Sequence, residues 1–583
     1  MNEGQKTTNA TAEDGAAALA GAAFAQALAD HKAGDLESAI RGYRDVLGAA
    51  PDHVDALANL GVALRRAGRN EDAIQVMTAG LARCGDAPDL RFNLGNALRD
   101  AGRDAGRDPG HLAAAVEQYR AVLRLASGHL GAAINLGLTL KTLGRTDEAL
   151  AHYKAAIAHH PDDHELFNNL GSVLWERRRF DAAIACFRRA LAIRPGFAPG
   201  RSNLALGRNV LGQYDEAEVL YRALTEDAPE DASGNSEGDS GAWAGLGQTL
   251  INLGRLDEAM AAFDKALALN AEEVDALLGR ARALLLAGRL AEGWPAYKAR
   301  RRKPGDWLPV TDKRAWDGAP LGGKRILVYG EQGFGDVLQF ARYLPLVAER
   351  GGQVVLLCQR PIAELCATVA GVAEVATDRA KPPAHDVQCS IMDLPMHFGT
   401  VLETIPAQTP YLRLPEKARR HVVARRRPGF HLGLAWRGNA AHWNDRNRSC
   451  PLRHFAPLLA VKGVVGHSLQ KGPGAEEIAA EGLAPLIGDL GSRLGDFTDT
   501  AGALHNLDLV VTVDTALAHL AGALGRPAWV VLPYAPDWRW MLGREDSPWY
   551  PSMRLFRQPA PGDWAGAFAA VEAALAEGVA AHT

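Results

Sequence analysis

Apolar positions in the first half of the chain follow a helical spacing nested inside a longer period. The segments NLGVAL from Asn59, NLGNAL from Asn93, NLGLTL from Asn135, NLGSVL from Asn169 and NLALGR from Asn203 succeed one another at steps of 34, 42, 34 and 34 residues. A second helical segment in each unit carries a small residue and, four places on, an aromatic ring: Ala39 and Tyr43, Ala115 and Tyr119, Ala149 and Tyr153, Ala183 and Phe187, Ala217 and Tyr221, Ala259 and Phe263. Pro51, Pro161, Pro195 and Pro229 follow. The pattern predicts stacked pairs of amphipathic helices, with small residues where paired helices meet, rings filling the gap to the next unit, and Pro or Gly closing each helix. The step of 42 holds eight extra residues between Gly102 and Gly110, in AGRDAGRDPG, a turn-like stretch expected to lengthen one loop. GNSEGDSG from Gly234 reads as a second loop insertion. Near Lys303 the grammar changes. RILVYG from Arg325, QVVLLC from Gln353 and HDVQCSI from His385 predict buried parallel strands, with one helix, VLQFARYLPLVAER from Val337, between the first two. HLGLAW from His431, VVGHSL from Val464, LDLVVTV from Leu507 and AWVVLP from Ala528 predict a second such set.

A 34-residue period with several positions in register marks tetratricopeptide (TPR) repeats. The expected order is a flexible N-terminus (1–19), a TPR superhelix of about eight repeats (20–304), a linker (305–322), and two α/β halves at 323–427 and 428–583. The fold class is therefore an α-solenoid followed by two Rossmann-like domains, with a ligand cleft at the carboxyl ends of their strands. In the solenoid, Asn59, Asn93, Asn135, Asn169 and Asn203 recur at one repeat position, where stacked amides could donate to and accept from an extended peptide. The other reading is that asparagine is simply frequent there.

Composition narrows the class. A length of 583 residues suits roughly three to five folding units, and a formal charge of -4 gives no general attraction to nucleic acid or an anionic membrane. Cys84, Cys186, Cys358, Cys366, Cys389 and Cys450 are scattered without a C-x-x-C pair, so no zinc or disulfide framework is indicated and a reducing compartment fits. Residues Met1 to Gly15 lack a basic region followed by an apolar core, and no apolar run nears 18 residues, so a cytoplasmic protein without a membrane span is expected.

Three loops carry candidate chemistry. GEQGFGD, from Gly330 to Asp336, is glycine-rich but fits neither the dinucleotide nor the P-loop spacing. Gly333 and Gly335 would let backbone approach a ligand, while Asp336 either faces the cleft or caps the next helix. WRGNAAHWNDRNRS, from Trp436, brings Arg437, Arg446 and Arg448 after a strand; guanidinium forks suit phosphate, and a solvated loop is the alternative. TVDTALAHLAGALGRP, from Thr512, ends a strand at Asp514 and opens a helix near Thr515, whose free N–H groups suit a pyrophosphate. His519, one turn in, either reaches that ligand or is packed. Asp537 to Trp540 reads as core, with stacking on a base or sugar as the alternative.

Together Asp336 in GEQGFGD, the loop after Trp436 and VDTALAHLAGALGRP resemble the GT-B glycosyltransferases of the lipopolysaccharide heptosyltransferase type. The repeats resemble those of protein O-GlcNAc transferases, in which an asparagine ladder holds the acceptor polypeptide. EGWPAYKARRR at Glu292 and DWRWMLGREDSPWYPSMRLFRQ at Asp537 resemble the bacterial TPR-glycosyltransferase group that includes flagellin-glycosylating enzymes. The resemblance implies a base at Asp336 and nucleotide-diphosphate contacts at Asp514, Thr515 and His519, with Ala516 standing where that family has Gly. It further implies inverting transfer from a nucleotide sugar to a Ser/Thr hydroxyl of a protein acceptor, flagellin among the candidates, with no metal or cofactor; the second half contains no D-x-D pair. A lipid- or oligosaccharide-linked acceptor and a non-catalytic scaffold are the alternatives.

Overall fold

The computed structural model describes residues 21–226, 239–302, 308–309, 311–416, 428–442, 444–472 and 474–582. The N-terminus at 1–19, most of the Gly234 insertion, part of the linker and Trp443 lie outside them. The chain forms two compact units, Met1–Leu204 and Ala205–Thr583.

The first unit is built of antiparallel helix pairs such as His164–Glu176 with Phe180–Ile193. Asp163 caps the first of these by accepting the Leu166 N–H at 2.8 Å. The expected small-and-aromatic pairing has a definite contact: a Cβ on Gly171 would come within 2.5 Å of Phe187, so the ring fills the space a larger residue would take. The contact lies within the helix pair, not only toward the next unit. The 42-residue step departs from expectation more strongly. Its extra residues lengthen both helices, Pro88–Asp104 and Pro109–Leu125, to 17 residues each, against 13 or 14 in the pair above. Ala and Arg favour helix, Gly102 is buried against Leu112, and the reversal is confined to Gly106 and Arg107, both at positive φ.

In the second unit the helical repeats run on to Leu290–Tyr297 and a 3₁₀ turn, Lys298–Arg302. These last elements dock into the α/β region. Trp294 donates from Nε1 to the Thr400 carbonyl at 3.0 Å and meets Phe340, Trp538 and Trp549 edge-on. Arg300, 4% exposed, pairs with Glu331 and Asp393 at 2.6 Å each, and Arg301 also binds Asp393. The repeats thus end at Arg302, beside the expected 304, but are packed onto the α/β region rather than set apart from it. Nor is 305–322 a free linker throughout, because Ala315 bridges to Gln388 and Trp316 is buried.

Two parallel sheets follow. The first has the order β3-β2-β1-β4, with β1 Arg325–Tyr329, β2 Gln353–Leu357, β3 Val372–Ala376 and β4 Val387–Ser390. The second has the order β10-β9-β8-β5-β6-β7, with β5 Phe430–Ala435, β6 Val464–Ser468, β7 Ile487–Asp489, β8 Leu509–Val513, β9 Ala528–Leu532 and β10 Met553–Arg557. Read from its own first strand, the second order is that of a dinucleotide-binding sheet, and its direction reverses between β5 and β8. The first sheet reverses between β1 and β4. The helix expected from Val337 is broken: Phe334–Phe340, a 3₁₀ turn at Ala341–Tyr343, then Leu344–Glu349. Pro345 cannot continue the upstream helix, and the turn directs Arg342 inward. Buried, Arg342 donates to the Trp549 and Pro406 carbonyls and lies over the Tyr550 and Tyr411 rings at 4.5 and 4.9 Å, tying the two halves together. The C-terminal helix Trp564–His582 holds the only window among the described residues with the length and apolarity of a membrane span, Trp564–Ala581; its Phe568, Val571 and Leu575 belong to the core of the second sheet.

Candidate functional site

The loops at both reversals bring the expected residues to one place. After β1, Asp336 sits at the third position of the helix Phe334–Phe340 and its Oδ2 accepts the Gly333 N–H at 2.8 Å. The capping role is therefore real, but it uses one carboxylate oxygen only. Oδ1 accepts from Arg539 Nη2 at 2.5 Å. Arg539 also donates from Nη1 to Asp537 at 2.8 Å and from Nε to Gln339 at 2.7 Å, with its face over Trp538 at 4.2 Å. Asp514, directly after β8, feels both Asp537 and the Arg448 guanidinium. One cluster thus joins Asp336 of the first half to Asp514, Asp537, Arg539 and Arg448 of the second.

Its electrostatics are those of a partly dried carboxylate group. Burial raises the Asp336 carboxyl above its usual range, Arg539 opposing. Burial and the neighbouring Asp537 push Asp514 up to about 6. Burial is the largest single influence on Asp537, but the charge and hydrogen bonds of Arg539, with the Arg282 charge, together outweigh it and hold that group low. A further cation reaches the cluster from the repeats: Arg282, on the helix Val274–Leu286, acts on both Asp537 and His442. Because the folded state binds the Asp514 proton more tightly than the unfolded chain does, stability declines as pH rises from the normal carboxylate range to about 6. Asp514→Asn is expected to flatten that decline in melting temperature measured across pH.

Not every expected residue meets the cluster. Arg437 is tied to Glu477, and Arg446 is exposed. Arg448 is nearly covered, lying 3.6 Å from Asp445 through Nε. Thr515 caps the helix Ala516–Ala523 by accepting the Leu517 N–H at 3.3 Å. His519 has the packed role: it is buried, bonded through Nδ1 to the Tyr550 hydroxyl at 3.0 Å and stacked on Trp540, and burial lowers it to about 3, so it is neutral. Gly335 serves this packing, since a Cβ there would lie 2.8 Å from His519 Cδ2. Gly333 remains exposed in the loop. Trp538 and Trp540 are core, as expected. Arg539, unrecognised between them, carried no sequence signal beyond a charge flanked by two tryptophans.

The asparagines separate into kinds. Asn135 donates to Asn96 and Asn203 to Asn168, each at 2.8 Å, linking neighbouring repeats; Asn59 donates to its own helix at the Asp55 carbonyl. Among the described residues Asn93 and Asn169 have no hydrogen-bond partner and are half-buried. Three of the five asparagines expected to form a ladder thus spend a donor inside the repeats.

Fold and site together define a TPR protein that continues into a parallel α/β region with a carboxylate-arginine cluster at its strand ends. Residues 24–88, 134–196 and 239–306 match the family described as tetratricopeptide repeat. Protein FlbA of Caulobacter vibrioides is 29% identical over 506 residues, spanning 80% of this chain and 82% of FlbA. The peroxisomal targeting signal receptor of Eremothecium gossypii is 33% identical over 112 residues, 19% of this chain and 20% of the receptor. A tetratricopeptide repeat protein from Parabacteroides merdae aligns over 43% of this chain and 93% of its own, at 16% identity and a TM-score of 0.35.

Proposed function

We propose that the protein is a glycosyltransferase of GT-B type that moves a sugar from a nucleotide-sugar donor to a Ser/Thr hydroxyl of a polypeptide held by its repeats, flagellin being the first acceptor to try. The observation that carries this reading is the link between the two sheet reversals: Asp336, from one, is bound by Arg539, which together with Arg448 acts on Asp514, from the other. Asp336 takes the hydroxyl proton while that oxygen bonds to the anomeric carbon, whose bond to the phosphate oxygen breaks with its electron pair. Arg448 and the N-terminal end of the helix Ala516–Ala523, capped by Thr515, take up the charge of the departing phosphate. His519 and Gly335 hold the two halves in register for this step, and Arg437 braces the loop through Glu477.

Polypeptide recognition is supported by the repeats and by the local likeness to receptors whose name records that they receive a targeting signal. The direct test incubates the full chain and a flagellin with UDP-, GDP-, ADP- and CMP-sugars and weighs the acceptor by mass spectrometry. A sugar-sized mass gain on a Ser or Thr supports the reading; nucleotide-induced stabilisation with a glycolipid as the sole product would transfer the acceptor to the lipid class, and no stabilisation by any nucleotide would leave a scaffold. The asparagines provide a second measurement. Asn93→Ala with Asn169→Ala is expected to weaken acceptor binding at unchanged stability. Asn135→Ala or Asn203→Ala instead costs about 1 kcal/mol of stability, the worth of one hydrogen bond, read from urea melts.

A further inference from the structure

Resting on the transfer reading, we propose that Arg539 is a positioning residue: it keeps the Asp336 carboxylate ionised and aimed, and stays counter-balanced by Asp537 when Asp336 takes up a proton. Geometry leaves Arg539 no freedom. Nη2 is on Asp336, Nη1 on Asp537 and Nε on Gln339, while its face covers Trp538 at 4.2 Å and its side chain is 9% exposed. Asp336 is fixed in turn, Oδ2 by the Gly333 N–H and Oδ1 by Arg539, and each oxygen retains a lone pair for a substrate hydroxyl.

The charges facing Asp336 explain why a guanidinium is needed there. Burial disfavours its negative charge most, and Asp537 and Glu331 add repulsion; Arg539 is the main opposing influence, helped by the Gly333 N–H. Without it the carboxyl would hold its proton further toward neutrality and could not accept one from a hydroxyl. During transfer the proton leaves the hydroxyl oxygen for Asp336, the oxygen bonds to carbon, and the carbon–phosphate oxygen bond breaks toward the leaving group. Asp336 loses its charge in that step. The guanidinium then still has Asp537, so no buried cation is left alone.

The test needs no substrate. Melting temperature is followed from about pH 4 to 8 for the full chain, Arg539→Gln and Arg539→Lys, each with and without Asp336→Asn, so that the difference within each pair isolates the Asp336 titration. A carboxyl raised in the folded state contributes a stability decline as pH increases through its window. Arg539→Gln is expected to move the midpoint of that decline upward by about one pH unit or more, and Arg539→Lys to recover part of it. If Arg539→Gln does not fold, Arg539→Lys still decides: a smaller upward displacement supports the role, and no displacement overturns it. Once a nucleotide sugar is turned over, the acid limb of kcat/KM should move by the same amount with KM for that sugar nucleotide unchanged. Absence of any turnover would count against the transferase and leave the melting result standing, so the two failures are distinct.

Discussion

Asp336→Asn is expected to lower the rate of sugar transfer by about 10²–10⁴-fold, the usual worth of a positioned general base. Asparagine keeps the size of the side chain, and its carbonyl oxygen can still accept either the Gly333 N–H or an Arg539 N–H. What it lacks is a site for the proton. Nucleotide binding, which the proposed function assigns to Arg448 and the helix after Asp514, should therefore survive, giving a loss in kcat with little change in nucleotide affinity by calorimetry. Full activity in Asp336→Asn would remove the base from this position.

Arg300→Ala should produce the largest loss of stability. Its guanidinium sits between Glu331 and Asp393, with all three side chains at most 7% exposed, and the Ser390 hydroxyl completes the network. Removing the cation leaves two buried carboxylates against each other, with Arg301 on Asp393 alone, and breaking such a network costs about 3–5 kcal/mol. Urea unfolding at neutral pH should show it. Because Glu331 lies in the same loop as Asp336, the substitution should also lower transfer. A loss of stability alone would mean that the network fastens the repeats without shaping the loop.

The strands that could not be read in the sequence lie at sheet edges, whereas those that could lie inside the sheets, apart from the edge strand β4. β1, β2, β5, β8 and β9 lie inside their sheets, are covered on both faces, and appear as apolar runs. β3, β7 and β10 are edge strands. β3 is mostly open to solvent, β7 has three residues, and β10 alternates Arg554 and Arg557 with its apolar positions, so none shows a continuous run. The site divides in the same way. Asp336, Asp514 and Arg448 were legible because each follows a recognisable strand. Arg539 and Arg300 were not, since their meaning comes from partners 203 residues away in one case and 31 and 93 in the other. Likewise the eight extra residues near Gly106 look like loop in isolation and are helix only because a neighbouring helix lengthens alongside them.

Arg342 places a pivot in the α/β region. It lies in the 3₁₀ turn that follows the helix whose first turn carries Asp336, six residues further along, and there it grips the Trp549 carbonyl and the Tyr550 ring of the opposite half. Displacement of one half against the other must turn about this point or break it, and must also part Asp336 from Arg539 at the strand ends, so the halves are fastened at two places rather than one.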